Sequence, residues 1–214
     1  MFRRACALLF SLAVIAPSPL FAQLTAERVA APAPDEVAAS IRSTLSGDAI
    51  KVTTGAATLE LWWARALPVS GSGPADWSQV AEGAVIGAVR VTGPFKEIRG
   101  KTVKPGVYTL RYGLQPQNGD HLGASPFREY LLLSPAVADV SASPLGFQET
   151  VAISKQTLGT SHPAALSLDP PVSTAPPLSP HTNDLDHKGI TFEVKTTGGG
   201  SLKFGVILIG LIEH

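Results

Sequence analysis

Gln115, Gln117, Asn118, Asp120 and His121 fall within one short stretch, the densest set of hydrogen-bonding side chains in the chain. Amide, carboxylate and imidazole groups converging at the end of a sheet can hold an organic ligand by hydrogen bonds. The same groups can instead satisfy backbone N–H and C=O groups along a connection turned by Asn118-Gly119. A metal is the third use. Asp120 and His121, joined by His162 from another loop, would offer one carboxylate oxygen and two imidazole nitrogens, a set suited to zinc or a similar ion. No H-x-H, HExxH or helical i, i+4 histidine pair accompanies them, so the three would have to meet through the fold. His162, standing before Pro163, reads equally well as a structural cap where a strand begins.

Elsewhere the chemistry is thinner. His181, Asn183, Asp184, Asp186 and His187 lie close together, but a calcium loop begun at Asp184 puts Lys188 and Lys195 where oxygen ligands belong, so the stretch reads as a solvated polar turn first and a looser calcium or transition-metal loop second. No G-x-S-x-G elbow and no phosphate loop is present. Glu97, Glu129 and Asp139 are acids beside strand-like segments, and no pairing of carboxylates follows from sequence. Trp62-Trp63 places one indole on each face of a strand. Trp77 stands in a Gly-, Ser- and Pro-rich loop from Pro68 to Gln79, where an aromatic either plugs the core or faces a ligand.

The elements that would position these groups are mostly strands. Tyr108, Leu110, Tyr112 and Leu114 alternate with Val107, Thr109, Arg111 and Gly113 after the Pro105-Gly106 turn, and Phe127 to Leu133 returns beyond the polar loop. Ile50 and Val52, then Leu59, Leu61 and Trp63 across Gly55, read as a hairpin. Ala84 to Val91 and Leu202 to Ile212 are apolar on both faces, hence central. Ala164 to Leu168 and Gly189 to Lys195 are further strands, while Asp169 to Pro180 is too proline-rich to join a sheet interior. Two helices are expected. One opens at Pro34-Asp35-Glu36, carries Val37, Ile41 and Leu45 on one stripe and ends at Gly47; the other carries Phe147, Val151, Ser154 and Leu158 and ends at Gly159. The expected core is Leu59, Leu61, Val85, Val89, Tyr108, Leu110, Leu131, Leu133, Val206 and Leu208.

Residues 1–22 have the pattern of a secretory signal peptide: Arg3-Arg4, an apolar run from Ala5 to Ala16, and Leu20-Phe21-Ala22 before Gln23. Cys6 stands at the start of the apolar run, with Arg3-Arg4-Ala5 rather than a lipobox before it, so a lipid anchor is not expected. Cleavage after Ala22 would leave a periplasmic or secreted chain without cysteine, which excludes disulfides, thiol catalysis, cysteine metal ligands and blue copper. The formal charge of zero becomes −2 once Arg3 and Arg4 leave, and no Lys/Arg cluster remains, so nucleic acid is not expected as a partner. No further stretch is long and apolar enough to cross a membrane as a helix.

The stretch PGVYTLRYGLQPQNGDHLGASPFREYLLLSP resembles a group of uncharacterised exported bacterial β-sandwich proteins, over roughly Leu59 to Leu168. Its PGVYTL portion is also similar to the P-G-x-Y-x-L turn and strand of prealbumin-like domains. Both likenesses imply an exported β-sandwich and bring no catalytic residue or cofactor. The expectation is therefore residues 23–47 as a loose lead-in with a short helix, then one antiparallel β-sandwich of about eight strands over 48–214, with two flanking helices. Two function classes stand. One is a non-catalytic binding or interaction module for a small molecule, a glycan or an envelope protein; the other is a metal-assisted hydrolase on Asp120, His121 and His162.

Overall fold

The computed structural model describes residues 24–71, 74–116, 127–169 and 175–210. In chain order the elements are β1 (Leu24–Val29), α1 (Ala39–Arg42), β2 (Ala49–Thr54), β3 (Ala57–Trp63), β4 (Val85–Thr92), β5 (Phe95–Lys96), β6 (Thr102–Val103), β7 (Gly106–Leu114), β8 (Glu129–Pro135), α2 (Phe147–Leu158), β9 (Ala164–Asp169), β10 (Pro180–Thr182), β11 (Lys188–Lys195) and β12 (Ser201–Ile209). Ten strands form a single antiparallel sheet in the order β1-β2-β3-β4-β7-β8-β9-β12-β11-β10, and β5 and β6 form a separate ribbon. The sheet curls until β1 lies against β10 and β11, which nearly closes it into a barrel. The chain is thus mainly β with two helices, as expected. The two-sheet sandwich is replaced by one rolled sheet, and inward/outward alternation along a strand is the same in both.

The barrel is filled. Leu59, Leu61, Trp63, Ile86, Val89, Tyr108, Leu110, Tyr112, Leu131, Leu133, Phe192, Phe204 and Val206 belong to one buried interior cluster. Trp63 meets Phe192 and Phe204 edge-on at 4.9 and 5.3 Å between centroids, a geometry that suits the ring quadrupoles. A second cluster covers the outside of the sheet, where Val37, Ile41 and Leu45 pack on Trp62, Val85 and Ala88. Both adjacent tryptophans are therefore core, one on each face. Val85 was expected inside with Val89. A bulge between Val85 and Gly87 shifts the register against β7 and turns Val85 to the outer cluster.

The first helix is only one turn long. Its stripe is buried as expected, but the chain tightens at once through Thr44 N–H to Ile41 O and Leu45 N–H to Arg42 O. Leu24–Val29, expected as a loose lead-in, pairs with β2 from Leu24↔Thr54 to Val29↔Ala49. The second helix runs as expected to Gly159, which takes the left-handed conformation that ends helices. Its buried face is Thr150, Ser154 and Thr157 rather than the apolar stripe. Ser154 donates to the carbonyls of Leu133 and Ala164, and Thr157 donates to that of Leu133, so hydroxyls dock the helix on strand ends.

Candidate functional site

Gln115 closes the β7–β8 ladder: its N–H donates to Arg128 O at 2.8 Å, and Arg128 Nε returns a bond to Gln115 O at 3.1 Å. Gln117, Asn118, Asp120 and His121 lie outside the described residues. His162 is exposed, and its backbone N–H and C=O are both engaged by the Thr160 hydroxyl at 3.3 and 3.0 Å. That is a local cap just before β9. Antiparallel pairing puts the start of β9 beside Leu133, at the opposite end of β8 from the Leu114↔Glu129 pair that precedes Gln115. Gln115 and His162 therefore stand at opposite ends of the barrel. Among the described residues, no group of three or more His, Asp and Glu side chains could hold a metal.

At the Gln115 end, the wall itself makes a site. β9 pairs with β12 only at Asp169↔Gly205 and Leu168↔Val206, after which β9 ends while Ser201 to Phe204 extend beyond it. Where the ladder stops, a cleft of about 610 Å3 opens, lined by Trp77, Phe127, Leu168, Leu202, Ser201, Asp76, Glu129, Asp169 and Lys203. Trp77 belongs to a 3-10 turn whose start is fixed by Asp76, which accepts from the Ser78 N–H at 2.7 Å and from its hydroxyl. These bonds hold the Asp76 carboxyl below the usual carboxylate range. The indole stacks on Tyr112 at 4.9 Å and 16° and meets Phe204 edge-on at 5.2 Å. It thus plugs the barrel mouth and also faces the cleft. Its buried N–H has no partner among the described residues.

Asp169 ends β9 beside the cleft, and its side chain belongs to a brace that crosses the outside of the barrel. His181 Nε2 lies 3.0 Å from Asp169 Oδ2, and Asn183 Nδ2 reaches both carboxylate oxygens at 3.3 Å. Both the Asp169 and His181 side chains are 5 % exposed. His181 is on β10 and Asp169 on β9, with β11 and β12 between them. The imidazole spans that distance by lying over two glycines: a Cβ built on Gly189 or Gly205 would come within 2.5 Å of its Cε1. Glycine inside a strand marks such close approaches, and this pair was the sequence signal for the brace.

Two tyrosines near the mouth are raised, by burial first and by nearby acids second. Burial pushes the Tyr112 hydroxyl well above its ordinary range, and Glu129 and Glu82 add to the shift against the opposing Arg128. Tyr130 is pushed up to about 12, chiefly by burial, with Glu82 adding to it. The other acids singled out from sequence are structural. Glu97 is buried against Arg99 Nε at 2.9 Å, and Asp139 is buried against Arg111. A second cleft, of about the same volume, is lined by Arg90, Lys104, Tyr108 and Leu158 near α2. Its aromatic hydroxyl is already spent on Lys104 O at 2.7 Å.

No protein-family model, curated protein or solved structure matches the chain.

Proposed function

We propose that this chain is an exported, non-catalytic binding module of the cell envelope that takes a small organic ligand, of the size of one or two sugar rings, in the cleft at the barrel mouth. The observation that carries this reading is Trp77. Its ring is backed by Tyr112 and lines a cleft rimmed with carboxylates, hydroxyls and one ammonium. An indole held rigid by a stack offers a flat apolar face at little entropic cost. The polar rim would fix orientation around that face. A metal-assisted hydrolase on Asp120, His121 and His162 gains no support from His162, which caps its own turn at the far end.

Trp62 and Trp63 are buried in the two cores, so a ligand entering the cleft should change the emission of Trp77 alone. Fluorescence titration against neutral, anionic and cationic oligosaccharides, checked by calorimetry, is the test. Binding by at least one class, lost in Trp77→Ala with the fold retained, is the expected result. No response from any class at millimolar concentration would overturn the reading. Export is tested separately: the mature protein should begin at Gln23 by mass analysis, and recovery of Met1 or a lipidated Cys6 would remove the envelope assignment.

A further inference from the structure

We propose that Trp77 is a displaceable plug: the β3–β4 connection carries its ring on a hinged arm, and a neutral, flat apolar ring entering from the cleft takes its place against Tyr112 and Phe204. This goes beyond the binding reading above, because it concerns the space beneath the indole rather than the face that lines the cleft. The hinge is set by where the hydrogen bonds fall. Before the arm, Leu67 N–H donates to Lys195 O at 2.8 Å, Thr197 N–H donates to Leu67 O at 3.0 Å, and Val69 N–H donates to the Thr197 hydroxyl at 3.3 Å. After it, Gly83 N–H donates to Tyr112 O at 2.8 Å. Val69 and Val80 bridge the neck, and Ser70 N–H closes it on Gln79 O at 2.9 Å. Beyond the neck the pattern changes. Among the described residues, every hydrogen bond of Ala75 to Gln79 stays within this connection. Asp76 and Ser78 are exposed, and from Ala75 to Gln79 only the Trp77 ring packs on the interior cluster. A loop with joined ends and one anchor opens as a unit at the low end of local stability.

Two features favour exchange of that anchor for a ligand ring. The seated indole keeps its N–H buried without a partner, a cost that ends once the ring swings out and water reaches it. The slot that it leaves is walled by Tyr112, stacked at 4.9 Å, and by Phe204, edge-on at 5.2 Å, so an incoming ring recovers the same contacts. A way in is already formed. Leu168 and Leu202 belong to the interior cluster and also line the cleft beside Trp77, so the cleft reaches the barrel interior there. A charged group would lose its hydration in such a slot, which sets the ligand class as neutral and apolar.

N-phenylnaphthylamine, a neutral flat dye that brightens in apolar surroundings, is the probe, titrated into the full chain, Trp77→Ala and Asp76→Ala. The intact protein should bind it saturably, with the Trp77 indole N–H signal in NMR moving and exchanging with water in the complex. Trp77→Ala should bind about tenfold or more tightly, because the resident competitor is gone and the slot is always open. Asp76→Ala keeps the ring but loses the bonds that set its turn, so it should bind several-fold more tightly, and it decides the matter alone if Trp77→Ala does not fold. Binding by Trp77→Ala only would mean a permanent plug and overturn the proposal. Binding by the intact chain with the Trp77 signal unmoved, or equal affinity in all folded proteins, would place the dye elsewhere and overturn it as well. Each of these leaves the oligosaccharide reading standing, whereas dye binding without any oligosaccharide response would overturn that reading and keep the plug.

Discussion

Two of the carboxylates buried among the described residues, Asp139 and Asp169, are finished differently. Asp139 receives Arg111 through Nε and Nη2, each at 2.7 Å, and the Thr109 hydroxyl adds a third bond. The remaining guanidinium hydrogens go to the carbonyls of Gly83, Ser141 and Ser143, so every donor of Arg111 is used. Both side chains are 0 % exposed. Asp169 has one imidazole and a shared amide, and its side chain is 5 % exposed. The first carboxylate is closed on itself and fastens the loop after β8 to β7; the second has no guanidinium opposite it and keeps part of its acceptor capacity unspent, which makes it the open one of the two. Burial alone does not say how an acid is held; the two differ in how much of their hydrogen-bonding capacity is spent.

The largest effect should come from breaking the closed pair. Asp139→Ala would leave the Arg111 guanidinium buried with no counter-charge, at a cost of about 3–5 kcal/mol. The double replacement Arg111→Met, Asp139→Leu should cost much less, since it removes both charges and fills similar volume. Urea unfolding of the three proteins measures this. Near-equal loss in the single and double variants would mean that the pair does not act as a unit.

The open brace should be less costly to disturb and more sharply coupled to glycine. Gly205→Ala pushes a methyl to 2.5 Å from His181 Cε1 and 3.2 Å from Asp169 Cβ. The expected loss is about 1–3 kcal/mol, typical of overpacking. In a His181→Ala background the same change should cost little, because the ring that it strikes is gone. A double-mutant cycle yielding no coupling would show that the imidazole does not lie where the brace requires.

These regions also show what could be read before the fold was known. Alternation located most strands, because one face of each is buried and a one-residue slip would expose it. The curl of ten strands into one rolled sheet was not legible, since it depends on which strands are neighbours. β1 was hidden by the polar residues Glu27 and Arg28 in an Ala/Pro-rich setting. Trp77 was visible as an aromatic in a loop of small residues, and of its two possible roles the packing on Tyr112 and Phe204 shows the plug. Asp169 and His181 were read as parts of a proline-rich excursion and a solvated turn, because a bond that skips two strands leaves no local pattern. Gly189 and Gly205 were its only trace. The Gln115 to His121 loop drew attention by composition, yet the described part of it, Gln115, serves the ladder.

The smallest predicted effect concerns alkaline pH, and it probes whether the acidic mouth differs from the closed pair in the field that it casts. Tyr130 ionises near 10 in the unfolded chain and is raised to about 12 in the folded one, by burial first and Glu82 second. Between those values the unfolded state has lost a proton that the folded state keeps. Stability is therefore fully retained below pH 10 and falls as pH rises through 12. Tyr130→Phe should flatten that fall in urea unfolding at a series of pH values. Glu82→Gln should lower the ionisation midpoint of Tyr130, followed by tyrosinate absorbance, because it removes the charge that opposes a second negative group nearby. Conversion of Asp139 to Asn should leave that midpoint where it is, since Arg111 already cancels its charge. An equal shift from both substitutions would erase the distinction between the open and closed acids.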